Sequence, residues 1–459
     1  MKLYKGLRPL KNEFYNPKVV KADFGHLGLR PLSANHYQFP EKGESMSVRV
    51  CDAIMGSGKS SAAIDYMNRH PDKRYIYITP YLDEAARIRR SCPALSFKEP
   101  NNTLPEFHFR KYEHTKALIA SGENITSTHN MFLRYTDDMV DMIRAQKYTL
   151  IIDEAVDVLR PSGLKLGDFC LLEDAGWLNR QGDEVVITPT RDYPDGRFIE
   201  AVSLARGNRL VDIDDEECGE LYYWLFSTDI ILAFEDVIVL TYLFEAQTMK
   251  YYFDLKGIPY SKVGIRRDGD GYHFDPDGTY VPGYVRTLHE KIHILESDKL
   301  NAIGERTHAM SASWYQRLGD DIETQNELKN NVRNFFTNYH RDMPVDKRLW
   351  ATFESGKKYV RGKGYFYSDT AFNMKATNDF RGRQVLAYCV NIYMHPSEKN
   401  YLLKKGVSVL EDRYALSVMI QWIWRSAIRD GCEIWIYVPS RRMRTLLKDW
   451  IAEVENYHT

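Results

Sequence analysis

Val48-Arg49-Val50-Cys51-Asp52-Ala53-Ile54-Met55-Gly56-Ser57-Gly58-Lys59-Ser60-Ser61 is the stretch that decides how this chain is read. The apolar run Val48–Cys51 predicts a strand, Ala53–Ser60 a loop, and Ser61 the start of a helix. Small residues let such a loop curl until several backbone N–H groups point at one phosphate chain. Gly56 and Gly58 supply the freedom of φ that the curl needs. A lysine at position 59 reaches the β- and γ-phosphates, and the hydroxyl of Ser60 holds a magnesium ion. The following helix adds the positive end of its dipole. Ala53, Gly56, Ser57, Gly58, Lys59, Ser60 and Ser61 are therefore the expected binding residues for a nucleoside triphosphate with Mg2+. Alanine stands at position 53 where the general pattern has glycine.

A second signal follows downstream. Tyr148-Thr149-Leu150-Ile151-Ile152 predicts a buried strand that ends in Asp153-Glu154. An aspartate at such a strand end orients the metal, and the adjacent glutamate polarises the attacking water. A third is Gln421-Trp422-Ile423-Trp424-Arg425-Ser426-Ala427-Ile428-Arg429. Helical spacing predicts Gln421, Arg425 and Arg429 on one stripe, with Leu416, Ile420, Ile423 and Ala427 packed on the opposite face. Arg425 and Arg429 are then placed to neutralise charge that develops on a transferring phosphoryl group.

Around these motifs, strands alternate with helices: Arg74–Thr79, Asn124–His129, Tyr148–Asp153 and Asp236–Phe244. This order predicts an α/β fold with parallel sheets whose site lies at the carboxyl ends of the strands. The stretch 157–235 is too long for a crossover and reads as an insertion, and 266–286, rich in Gly, Asp and Pro, reads as a hairpin. Strand candidates of a second block are Ile292–Leu295, Trp350–Phe353, Gly364–Tyr367, Val385–Val390 and Ile434–Val438. The expected organisation is a lead-in over 1–46, a first domain over 47–250, a linker or hairpin over 251–287 and a second domain over 288–459.

The 459 residues carry a formal net charge of −1, so any nucleic-acid contact has to use local basic grooves. Six scattered cysteines, none in a C-x-x-C pair, predict reduced thiols rather than a metal site. No signal segment or membrane-length apolar run stands out, so the expectation is a cytoplasmic protein without a membrane partner. A basic cluster, Arg441, Arg442, Arg444 and Lys448, fits either a solvated helix face or a nucleic-acid contact.

The three motifs together resemble a superfamily 2 helicase or translocase built from two RecA-like domains. Ala53–Ser60 resembles motif I, Asp153-Glu154-Ala155-Val156 the DEAD/DEAH box, and Gln421–Arg429 motif VI. Thr79-Pro80 with Arg87 resembles motif Ia, Ser127-Thr128-His129 motif Ib, Leu240–Phe244 a degenerate motif III, and Ala376-Thr377-Asn378 through Gly382 motif V. The wording of motifs V and VI, with Val438-Pro439-Ser440-Arg441, is further similar to helicase-like proteins of bacteriophages. The resemblance implies ATP as the nucleotide, Lys59, Glu154, Gln421, Arg425 and Arg429 as catalytic residues, and Ser60 and Asp153 at the metal. It implies nucleic-acid contacts through Thr79, Arg87, Thr128, His129 and Thr377, with DNA preferred over RNA. It also implies a replication or recombination protein as partner, in the host cytoplasm if phage-encoded. Val156 stands where the box has a polar residue, Tyr242 where a small one is usual, Trp424 in place of a glycine, and Arg429 one position late. An ATPase that remodels a protein partner without unwinding, and a phosphotransferase, are the other readings of the same motifs.

Overall fold

The computed structural model describes residues 47–182, 184–187, 193, 196–206, 209–215, 219–373 and 379–458. The lead-in over 1–46 and the motif V residues Ala376, Thr377 and Asn378 lie outside them. In chain order, the first strands are β1 (Ser47–Asp52), β2 (Arg74–Thr79), β3 (Ile125–Thr128) and β4 (Tyr148–Asp153). An inserted group follows: β5 (Leu159–Pro161), β6 (Leu178–Gln181), β7 (Glu184–Ile187), β8 (Leu210–Asp215) and β9 (Gly219–Leu225). Then come β10 (Asp236–Thr241), β11 (Ser261–Asp268) and β12 (Gly271–Asp275). The last group is β13 (Ile292–Ile294), β14 (Arg348–Thr352), β15 (Asp369–Ala371), β16 (Val385–Tyr388) and β17 (Ile434–Tyr437).

These strands make three sheets. The first has the order β12-β11-β1-β10-β4-β2-β3 and is parallel except for β12. Its central strands are apolar on both faces because helices cover both sides, and all six residues of β10 are buried. Arg49 of β1 pairs with Asp236 of β10 within this sheet. The second sheet is wholly parallel, with the order β13-β17-β16-β14-β15. The expected α/β fold with two parallel sheets is therefore present.

The insertion is a five-stranded antiparallel sheet, β5-β9-β8-β7-β6, with its own core around Phe169, Leu178, Val185, Leu210 and Tyr222. Antiparallel hairpins let it leave and re-enter the first sheet between β4 and β10 without a crossover helix. The stretch after β10 forms the expected hairpin, but β11 and β12 also extend the first sheet beyond β1. The second half of the chain touches the same core. Met394, Tyr401 and Leu402, on and beside the helix Pro396–Lys404, pack with Val211, Ile213 and Tyr223 of the inserted sheet.

Two expected elements differ. Gly364–Tyr367 is not a strand; the edge strand is β15, two residues later. Gly364 turns the chain at φ +92°, and side chains of β14 take the nearby carbonyls. Arg348 donates to Gly364 O (2.9 Å) and Trp350 Nε1 to Tyr365 O (2.8 Å), so those groups cannot serve a strand ladder. The helix Glu411–Ile423 also stops short of Arg425. Ser426 Oγ donates to Ile423 O (2.6 Å), and the Ala427 N–H goes to Arg383 O (2.9 Å) instead of a helical carbonyl. Among the described residues, no helix is long and apolar enough to cross a membrane.

Candidate active site

The loop after β1 builds one wall of a cleft of about 300 Å³. Gly56 and Gly58 take φ of +82° and +89°, values that a side chain would strain. Gly58 caps the helix Lys59–Arg69, so the free N–H groups of its first turn border the cleft. The loop accepts no side chain at position 58 for a second reason. The ring of Tyr272, on β12, lies against it, and a Cβ there would sit 2.1 Å from Tyr272 Cδ1. His273 Nδ1, 2.8 Å from Asp65 on the same helix, fixes the hairpin in that place.

Lys59 folds back beneath the loop, donating to Ala53 O (2.5 Å) and Ile54 O (3.1 Å). Burial pushes its pKa down, against the pull of Cys51 and of the Asp153, Asp52 and Glu154 carboxylates. Ser57 is fully buried, and its hydroxyl finds no partner among the described residues. Ser60 and Ser61 line the cleft. Ser60 Oγ donates to Asp153 Oδ2 (3.3 Å), as does the Tyr77 hydroxyl (3.1 Å). Asp153 is pushed up to about 6, by burial first and by Glu154 and Glu84 next. A hydroxyl and a buried carboxylate side by side beneath a phosphate loop are a donor set that suits magnesium, a hard cation that keeps several waters.

Glu154 stands apart in its backbone. It holds φ +64°, with its N–H on Leu240 O (2.9 Å). Left-handed backbone at a non-glycine residue costs of order 1–3 kcal/mol and persists where the surroundings fix it. The strained turn brings its carboxylate to the facing wall, where Arg425 Nη2 donates to Oε1 at 2.5 Å. Gln421 and Arg429 line the same wall. They converge although they do not share one helix: Gln421 is in the last turn, Arg425 in the bend beyond it and Arg429 in a 3₁₀ turn. Burial and the neighbouring Arg425 and Arg381 lower the pKa of Arg429. Arg87 joins them at the cleft, with Nε on Glu84 (2.7 Å). Three guanidinium groups thus gather at the cleft, two of them held by carboxylates, Arg425 by Glu154 and Arg87 by Glu84, a cationic lining that a polyanion could share.

Thr79 is fully buried at the end of β2. His129 is buried as well, and its Nε2 contacts Asp153 O at 2.9 Å, so it supports the carboxylate strand instead of facing outward. Thr128 caps the helix His129–Phe132, accepting from Met131 N (3.4 Å). Arg87 faces the Lys59 cleft, and Thr377 is outside the described residues. The C-terminal basic cluster forms ion pairs: Arg442 with Asp412, Arg441 and Arg444 with Glu305, and Lys448 with Glu296. The aspartates of the hairpin gather no metal site, and the described residues hold no cluster of three metal-ligating side chains.

Residues missed in the sequence are Tyr77, Glu84, Tyr272 and Trp450. Trp450 explains two departures from the helicase pattern at once. Its Nε1 donates to the Tyr242 hydroxyl (2.9 Å), and its ring meets Trp424 edge-on at 5.4 Å. The two unusual aromatics, one from each half of the chain, are thus partners of a third.

Comparison with known proteins gives three findings. A family model described as the YonV C-terminal Rossmann-like domain matches residues 286–451, which hold the second sheet. Among solved structures, one described as "XPD_Helicase" is similar at 12% identity and a TM-score of 0.46, over 90% of this chain and 95% of that one. Xpd4 of S. tokodaii is similar at 13% identity and a TM-score of 0.44, over 88% and 94%. The SPbeta prophage-derived uncharacterized protein YonV of Bacillus subtilis (strain 168) is 37% identical over 413 residues, 88% of this chain and 98% of its own length. With that identity over nearly the whole of both proteins, the chain belongs to the YonV family.

Proposed function

We propose that this protein is an ATP-dependent nucleic-acid translocase or helicase, acting on DNA in phage-type replication or recombination in the host cytoplasm. The observation that carries the reading is the meeting of Arg425, from the connection between β16 and β17 of the second sheet, with Glu154, from the end of β4, beside the Lys59 loop. Groups that must act together on one phosphoryl transfer come from two halves of the chain, so hydrolysis and relative motion of those halves are linked.

In this reading the loop N–H groups and Lys59 hold the phosphates, and Ser60 and Asp153 hold the magnesium. The bound metal supplies charge neutralisation on the phosphate oxygens. Lys59 leaves the carbonyls of Ala53 and Ile54 to reach the phosphate chain. Glu154, released from Arg425, orients a water and accepts its proton. Arg425 and Arg429 turn to the transferring group, and Gln421 positions the water between them.

The aromatic contact of Tyr242, Trp424 and Trp450 favours a second reading, an ATPase switch that remodels a protein partner and never unwinds. It ties the two halves together beside the cleft and so favours a short stroke.

Steady-state ATPase measured with single-stranded DNA, duplex DNA and RNA, beside Lys59→Ala and Arg425→Ala, tests the proposal. Stimulation by DNA that both variants abolish is the expected result. Hydrolysis indifferent to every nucleic acid supports the remodelling reading, and failure to bind ATP at all overturns both.

A further inference from the structure

The first and inserted sheets enclose a second cleft, of about 700 Å³. One wall is the segment that leaves β3, with Asn130, Leu133 and Arg134. The other is formed by Arg160 and Pro161 of β5, the helix Ile199–Arg206, and Trp224 of β9. This first wall follows Thr128 and His129 in the chain, the segment expected to touch nucleic acid, although His129 itself is turned inward.

The lining is suited to one kind of ligand. Arg134 and Arg160 are both exposed, and neither has a carboxylate partner among the described residues. Arg160 lies over the Trp224 ring, 4.6 Å from its centre. Stacking holds a guanidinium flat and leaves its N–H edge free to take two phosphate oxygens. Arg209, deeper in the cleft, is already committed: it bonds Tyr135 O (2.6 Å) and Asp137 (2.7 Å) and so braces the floor. Glu200 at the rim keeps the lining from being uniformly basic, which disfavours loose capture of any anion. The volume of about 700 Å³ exceeds what a lone phosphate needs.

We propose that this cleft holds one strand of nucleic acid by its phosphates, with Arg134 and Arg160 as the contacts. The inserted sheet then has a role: it supplies the second wall of the strand site. The inference deepens the translocase reading and rests on it in taking nucleic acid as the partner. The cleft is also linked to the phosphate site. His129, at the start of the wall that carries Arg134, touches the backbone of Asp153, so a shift of that wall under a strand reaches the metal-binding carboxylate.

Anisotropy of a labelled oligothymidylate, followed across a salt series, tests this on the full-length protein beside Arg134→Ala/Arg160→Ala. Loss of two phosphate contacts lowers the slope of log affinity against log salt by about 1.4. Affinity at moderate salt falls on the order of tenfold or more, while ATP hydrolysis without nucleic acid is unchanged. Arg160→Ala also uncovers Trp224 and can loosen the insertion, so Arg134→Ala alone is the control; it should lower the slope by about 0.7. Arg134→Lys/Arg160→Lys keeps most of the slope. Equal affinity and slope in wild type and double variant overturn the proposal while leaving the translocase reading intact. Arginine-dependent binding of duplex but not single strand overturns it too. Wild type that hydrolyses ATP and binds no nucleic acid brings down both. Arginine-dependent strand binding without any hydrolysis supports the cleft and overturns the ATPase reading.

Discussion

Gly58 is constrained twice, by a left-handed φ and by the Tyr272 ring pressed against it. Gly58→Ala should therefore lose stability by about 1–2 kcal/mol from the backbone alone, with more from the clash. Nucleotide affinity should fall at least tenfold, because the loop cannot keep its curl. Adding Tyr272→Ala should recover part of the stability and little of the affinity; a melting curve and a nucleotide titration on the two variants check both. The loop itself was legible in the sequence because its chemistry is local: strand, glycines, lysine and serine follow one another over a few residues. The same holds for Asp153 and Glu154. Tyr272, Arg134 and Arg160 were not legible. Each acquires its place only when a distant segment folds against it, and nothing in its immediate neighbours signals the contact.

Among the elements, the C-terminal helix Arg441–His458 does more than close the second sheet. It carries Trp450, which is almost wholly buried between Tyr242 and Trp424. Trp450→Ala should destabilise the fold by about 3–5 kcal/mol, since it leaves a large cavity. Trp450→Phe keeps a ring against Trp424 and loses the donor to Tyr242, so it should cost about 1–2 kcal/mol. Urea unfolding of the two variants separates packing from the hydrogen bond. The motif VI helix shows where periodicity misleads. Gln421, Arg425 and Arg429 keep helical spacing in the sequence, yet a serine that bonds back to Ile423 ends the helix between them. The cleft is lined as expected by a different backbone route. The misplaced edge strand has a similar origin: Gly364 and the side chains of Arg348 and Trp350 outweigh the extended propensity of Tyr365-Phe366-Tyr367.

In the molecule as a whole, the helix Pro396–Lys404 packs on the inserted sheet and buries a carboxyl, that of Glu398. Burial, with the Asp157 carboxylate adding, pushes Glu398 up to about 7. Because the folded value lies above the ordinary one, the fold favours the protonated form. Its stabilising effect is complete in acid and is lost as pH rises through about 7. Glu398→Gln should consequently match wild type near pH 5 and exceed it near pH 8, by on the order of 2 kcal/mol. Denaturation at the two pH values is the measurement. The alternation of strands and helices, the two parallel sheets and the insertion were readable from pattern. The packing of the second half onto the insertion was not, because Met394, Tyr401 and Leu402 show only that they are apolar and not what they cover.

The contact between Arg425 and Glu154 has a kinetic corollary. Arg425 is already paired with Glu154 across the cleft, so a nucleotide that enters would compete with an internal anion for the same cation. In the proposed cycle, opening that pair opposes nucleotide entry and re-forming it assists the departure of products.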